Sequence, residues 1–154
     1  MTREKVVLSK LSEDSPLHFQ IKEGDFLDCY SVTASVPPRE AAEIIVDFPG
    51  WARLLLRLRT LLVTPFGLST EGPDADDKLG VFPVQLETDT EVIAGFDDKH
   101  LDFRVSVRHD EGRVSLATWV HPHNWGGRVY LAAILPFHIL IARNALARVS
   151  AAGG

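Results

Sequence analysis

Asp97, Asp98, His100, Asp102 and Arg104 crowd five ionisable groups into one short stretch of the chain. An imidazole beside carboxylates can exchange protons with a substrate, and the same oxygens can hold a cation. Their spacing also fits plainer work, which carries more weight. Aspartates in a turn accept hydrogen bonds from nearby backbone amides, and Asp102 and Arg104 share one strand face, where they can pair with neighbouring strands. His100 and Asp102 stand as catalytic candidates together with His138, an imidazole in an apolar run that can accept a proton or bond a ligand carbonyl. A backbone carbonyl is the commoner partner of such a histidine. His121 and His123 fall on the same side of an extended segment, as in some zinc sites, but no second spacing supplies the remaining ligands, so no metal is expected. Arg53, Arg57 and Arg59 form a basic surface able to take a carboxylate or phosphate, although a solvated helix face explains them more simply.

The elements that position these groups are readable from periodicity. From Asp25 to Val36 the chain reads as a strand, with Tyr30, Val32 and Ala34 on one face and Cys29, Ser31 and Thr33 on the other. Pro37-Pro38 ends it and suits the first turn of a short helix over Arg39 to Asp47. Pro49 opens a second helix, in which Trp51, Leu54, Leu55, Leu58, Leu61 and Leu62 repeat at i, i+3, i+4, i+7. The acidic, turn-rich run from Glu71 to Lys78 reads as an exposed, mobile loop. Four strands follow, over Val81–Glu87, Glu91–Phe96, Leu101–Arg108 and Arg113–His121, forming an antiparallel meander. Turn aspartates are expected to bond the backbone between them. Leu101, Phe103, Val105 and Val107 face the core, and Asp102, Arg104, Ser106 and Arg108 face away. A long helix from about Trp125 to Val149 closes the chain. Pro136 in its interior predicts a kink that releases the carbonyl of Ala132. Residues 1–24 show only weak periodicity, with short extended pieces near Val6–Leu8 and His18–Ile21.

Composition narrows the class of function. The chain has 154 residues, 45% hydrophobic and 24% charged, enough for one domain with a real core and no staple. The expected arrangement is a single domain over residues 1–154, with a weakly structured segment at 1–24 and a core at 25–150. A net charge of -5 gives no broad attraction to nucleic acid, which is not expected as a partner. Cys29 is the one cysteine, which excludes an internal disulfide and fits a cytoplasmic location. The first residues lack the apolar core of a signal peptide. The most apolar segment, Val129 to Ala142, falls short of a membrane span and is expected to be a buried helix, so no integral membrane segment is predicted. There is no G-x-S-x-G, no phosphate-binding P-loop and no G-x-G-x-x-G.

Several runs carry a family resemblance: Trp51, RLRTLLVTPFGL from Arg57 to Leu68, GVFPV from Gly80 to Val84, ETDTEV from Glu87 to Val92, GFDDKHLDFR from Gly95 to Arg104, and NWGGRVYLAAILPFH from Asn124 to His138. Together they cover most of the chain from Trp51 onward. The chain resembles the domain of unknown function 2867 family, associated with the START-like/SRPBCC (polyketide-cyclase-like, Bet v 1-like) superfamily. It departs from the family pattern at Thr60, where Asn is expected, and at Ser69, where a basic residue is expected. The resemblance implies an α+β helix-grip fold, a curved antiparallel sheet wrapped around a long kinked C-terminal helix, with two short helices after the first strand. It also implies an apolar ligand held between that helix and the sheet.

The resulting expectation is a protein that binds a small hydrophobic or amphipathic molecule without a cofactor. Its cavity would be walled by Phe66, Phe82, Phe103, Tyr130, Ile134 and Phe137 and anchored by Arg104 or His138. Two other readings stay open. One is a cyclase, isomerase or dehydratase using His100, Asp102 or His138 for proton transfer. The other is a noncatalytic interaction module, a homodimer built on Trp119 or the C-terminal helix.

Overall fold

The computed structural model describes residues 6–63, 77–79, 82–98 and 101–153, without the side chains of residues 56 and 59–63. Seven strands form one antiparallel sheet: β1 (Val7–Leu8), β2 (Phe26–Thr33), β3 (Lys78–Leu79), β4 (Phe82–Glu87), β5 (Glu91–Asp97), β6 (Leu101–Asp110) and β7 (Arg113–Pro122). Their order across the sheet is β1-β2-β7-β6-β5-β4-β3. Three helices, α1 (Pro38–Val46), α2 (Gly50–Val63) and α3 (Trp125–Gly153), complete the fold. The architecture is therefore α+β, and the expected meander is present as β4 to β7, each strand antiparallel to the next.

Alternation along the strands separates two faces. Tyr30 and Val32 of β2, Val114 and Leu116 of β7, Val107 of β6 and Val92 of β5 form one buried layer with Ala41, Ala42 and Ile45 of α1 and Ala142, Ala145, Leu146 and Val149 of α3. Burying such side chains contributes about 1.5–3 kcal/mol each, which fixes the register, since a one-residue slip would turn each strand's apolar set away from the helices. The opposite face is also covered. Leu11 and Leu17 from the N-terminal segment pack with Cys29, Ile93, Ala117 and Trp119.

The extended piece expected at His18–Ile21 is a single 3-10 turn at Pro16–Phe19 instead. Pro16 presets the first turn, and the Ser15 hydroxyl accepts the amide of Leu17 at 3.2 Å, satisfying a donor that a strand would have paired elsewhere. Between β4 and β5 the turn is held by Thr88 rather than by an aspartate: its Oγ1 accepts the amides of Thr90 and Glu91 at 3.2 and 3.0 Å. Glu111 and Gly112, at φ 50° and 74°, close the two-residue hairpin joining β6 to β7. Gly95, at φ 143°, sits where a β-carbon would collide with the carbonyl oxygen of Phe103 on the paired strand. That close approach explains the glycine in the run beginning at Gly95.

α3 forms one helical run through Pro136. Its burial is uneven and overturns the expectation of a buried helix over Val129–Ala142. Ala142 to Ser150 supply nearly all of its buried residues, whereas Trp125, Val129, Phe137 and Leu140 are exposed. The reason is contact: only the C-terminal half is sandwiched between α1 and the sheet, and Arg148 of that half donates to the carbonyls of Ile44 and Asp47 at 2.6 Å each.

Candidate functional site

Across the middle of the helix-facing side of the sheet runs the register Asp28, Thr118, Val105, Ala94, Val84. Above it lies the row Tyr30, Leu116, Val107, Val92, and below it the row Phe26, Val120, Phe103, Phe96. Asp28 and Thr118 are thus polar residues set between an aliphatic and an aromatic row. His138 of α3 reaches down to them, its Nε2 lying 3.0 Å from Asp28 Oδ2, and its ring meets Phe26 edge-on at 6.2 Å. The pair is largely sheltered, with side-chain exposures of 22% for His138 and 13% for Asp28. Two buried atoms here have no hydrogen-bond partner, Asp28 Oδ1 and Thr118 Oγ1. Leaving such atoms unsatisfied costs about 1–3 kcal/mol each.

The side chains around these atoms are less completely buried than the main core, against which Phe82, Val84 and Val105 still pack. Phe26, Phe82, Val84, Phe96, Phe103 and Val105 on the sheet are half-buried, and so are Tyr130, Ile134 and His138 on α3. Phe103 carries edge-on contacts to Phe82 at 5.5 Å and to Phe96 at 4.7 Å. This half of the interior differs from the tightly packed half under Ala142 to Val149, where the facing residues are fully buried.

The other expected site residues separate. Phe103, Tyr130, Ile134 and His138 are all half-buried, His138 bonds Asp28, and Phe82 meets Phe103 edge-on. Phe137 is half exposed on the solvent side of α3. Phe66 and His100 lie outside the described residues. Arg104 and Asp102 project from the opposite face of the sheet, because they alternate with Phe103 along β6. Arg104 donates to Gln85 Oε1 at 2.7 Å and Asp97 Oδ1 at 2.9 Å, and Asp102 lies 2.7 Å from His123 Nε2. Neither meets His138. Asp28 and Thr118 escaped the sequence reading, though the signal was present: alternation from Tyr30 and Val32 puts Asp28 on the apolar face of β2, an unusual place for a carboxylate.

The far face carries its own polar groups, and several of them pair with one another. Asp25 accepts the indole N–H of Trp119 at 2.8 Å and the amide of Lys22 at 2.8 Å, and its other oxygen lies 2.5 Å from His121 Nδ1. Burial opposes the charge on Asp25, but the bonds from His121, Lys22 and Trp119 outweigh it and hold the carboxyl below its usual range. Glu91, 2% exposed, accepts from Ser15 at 2.6 Å, from Ser106, and from Arg108 at 2.6 Å. His121 and His123 turn to separate carboxylates, and no cluster of three potential metal ligands occurs among the described residues.

An antiparallel sheet crossed by a long helix, with a histidine-aspartate pair between them, defines the class of this protein. The chain belongs to the family of proteins of unknown function DUF2867, whose model matches residues 21–145. No curated protein and no solved structure matches the chain.

Proposed function

We propose that the protein binds a small hydrophobic or amphipathic molecule in the cleft between α3 and the sheet, in a helix-grip architecture of the START-like kind. The observation that carries this reading is the pair of unpartnered buried oxygens, Asp28 Oδ1 and Thr118 Oγ1, set among half-buried apolar walls. A ligand with an apolar body and one hydroxyl or amine would cover the walls and donate to the carboxylate. The strand order, with β2 beside β7 and α3 laid across both, supports the helix-grip assignment.

The test is a thermal-shift screen of fatty alcohols, fatty amines and aromatic alcohols, followed by native mass spectrometry. A ligand at about 100 times its Kd stabilises the folded state by roughly 2.7 kcal/mol, a shift of several degrees. Asp28→Asn should weaken binding of an amine-bearing ligand roughly tenfold or more, by removing a charged acceptor. If no compound raises the melting temperature, or if Asp28→Asn and Phe103→Ala bind as well as the unaltered protein, the reading is wrong.

The Asp28–His138 contact favours a second reading, an enzyme of the cyclase, isomerase or dehydratase kind. A carboxylate on one imidazole nitrogen orients the ring and stabilises it when it takes a proton, as a general base requires. Turnover of a cleft-bound carbonyl compound, abolished in His138→Phe with binding retained, would favour this reading over simple carriage.

A further inference from the structure

The solvent side of α3 is as ordered in its chemistry as the side that faces the sheet. Trp125, Val129, Ala132, Ala133, Pro136, Phe137 and Leu140 recur at helical spacing and are all exposed, Trp125 at 81%. They make an apolar stripe about 24 Å long at 1.5 Å per residue. A soluble helix normally presents charges there.

Charge is distributed to match. The chain has 21 Asp and Glu and a net charge of -5, yet α3 contains none of those acids; of its three arginines Arg128 is exposed, while Arg143 bonds the carbonyl of Val6 and Arg148 those of α1. α2 has no acidic residue of its own; Arg53 is paired with Asp47, which leaves Arg57 and Arg59, and Trp51, Leu54 and Leu58 are exposed. α2 and the C-terminal part of α3 both bond to the junction that follows α1. Arg148 donates to the carbonyl of Asp47 at 2.6 Å, and Arg53 donates to the Asp47 carboxylate at 3.2 Å and to the carbonyl of Phe48 at 2.8 Å. Acids would be repelled by an anionic lipid surface, and Trp with Arg is the pairing that settles at a headgroup boundary.

We infer that the exposed face of α3, assisted by α2, docks on the surface of an anionic phospholipid bilayer. By length and composition α3 could cross a membrane. Its inward face is committed, however, to Asp28 through His138, to Val6 through Arg143 and to α1 through Arg148. A helix held to its own sheet along one side lies in the interface plane, with its free apolar side inserted. The acidic remainder of the molecule confines the attraction to these helices, because charges beyond about 8–10 Å are screened at physiological salt. This inference does not depend on the cleft holding a ligand.

The experiment is sedimentation of the full chain with phosphatidylcholine vesicles containing about 30% phosphatidylserine, and with phosphatidylcholine alone. Binding to the anionic vesicles should be roughly tenfold tighter or more, should weaken as salt rises, and should move tryptophan emission to the blue. Val129→Asp with Phe137→Asp should abolish binding while preserving the circular dichroism of the fold. Phe19→Asp, at a residue 93% exposed in the segment that covers the other face of the sheet, should leave binding intact. Should the double variant unfold, quenching of Trp125 in the unaltered protein by brominated phosphatidylcholine, with Trp125→Phe as reference, decides the matter. Absence of vesicle binding, binding that survives the double substitution, or a concentration-dependent dimer that occupies the stripe and is not competed by vesicles would overturn the inference. The last result would make the occupant a second copy of the chain.

Discussion

Asp25 shows how one carboxylate is stabilised by its surroundings. It stands just before β2, and folding brings the indole N–H of Trp119 and the imidazole of His121 to it from β7. Its folded pKa lies below the ordinary 3.8, so the unfolded chain takes up a proton first as the pH falls. The resulting stability is fully present above about pH 4 and is lost as the pH drops through the folded value. Urea unfolding followed against pH should therefore weaken in that acid window. Asp25→Asn should flatten the loss there and cost about 1–2 kcal/mol at neutral pH, through weakened bonds to Trp119 and His121. A variant with the same acid profile as the unaltered protein would remove Asp25 from this role.

The N-terminal segment acts as an element although its periodicity is weak. Leu17 is fully buried and closes the far face of the sheet over Cys29, Ile93 and Trp119. Burial, with the charge of Asp28 next in sequence, pushes the Cys29 thiol up to about 11. Thiolate is the reactive form, so Cys29 in the folded protein should resist alkylation at pH 8. Leu17→Ala should cost about 2–4 kcal/mol and speed alkylation of Cys29, as the segment opens more often. Rapid labelling of the unaltered protein would contradict that packing. The strands and helices were legible because their apolar residues repeat at two or at 3.6 residues. The 3-10 turn at Pro16–Phe19 has no such period, and its direction comes from the Ser15 cap and from what Leu17 buries.

On the scale of the whole molecule, α1 and α3 lie on one side of the sheet and the N-terminal segment on the other, and a few polar clasps tie the layers together. Arg148 joins α3 to the carbonyls that end α1, and Arg39 of α1 grips Asp77 in two bonds and Glu87 in a third. Burial works against the charge on Arg148, opposed by Asp47, and lowers its pKa. Arg148→Leu should destabilise the fold by about 2–3 kcal/mol in urea unfolding, because charge-assisted bonds are lost and the end of α1 is left without donors. If the midpoint is unchanged, another contact holds α1 to α3.

By itself the chain determined the long strands and the helices, the two faces of those strands and the family, since these follow from local spacing and short-range turn chemistry. His138 stood out as an imidazole in an apolar run. Its partner did not, because Asp28 lies far away in the chain and meets it only when β2 pairs with β7 and α3 crosses them. Arg104, Asp102 and His138 looked equally able to serve one site. Pairing sends the first two to the opposite face, because side chains alternate along β6. The same folding leaves the outer stripe of α3 exposed: close packing is concentrated on its C-terminal half, and no local pattern in an apolar helix says where its cover ends.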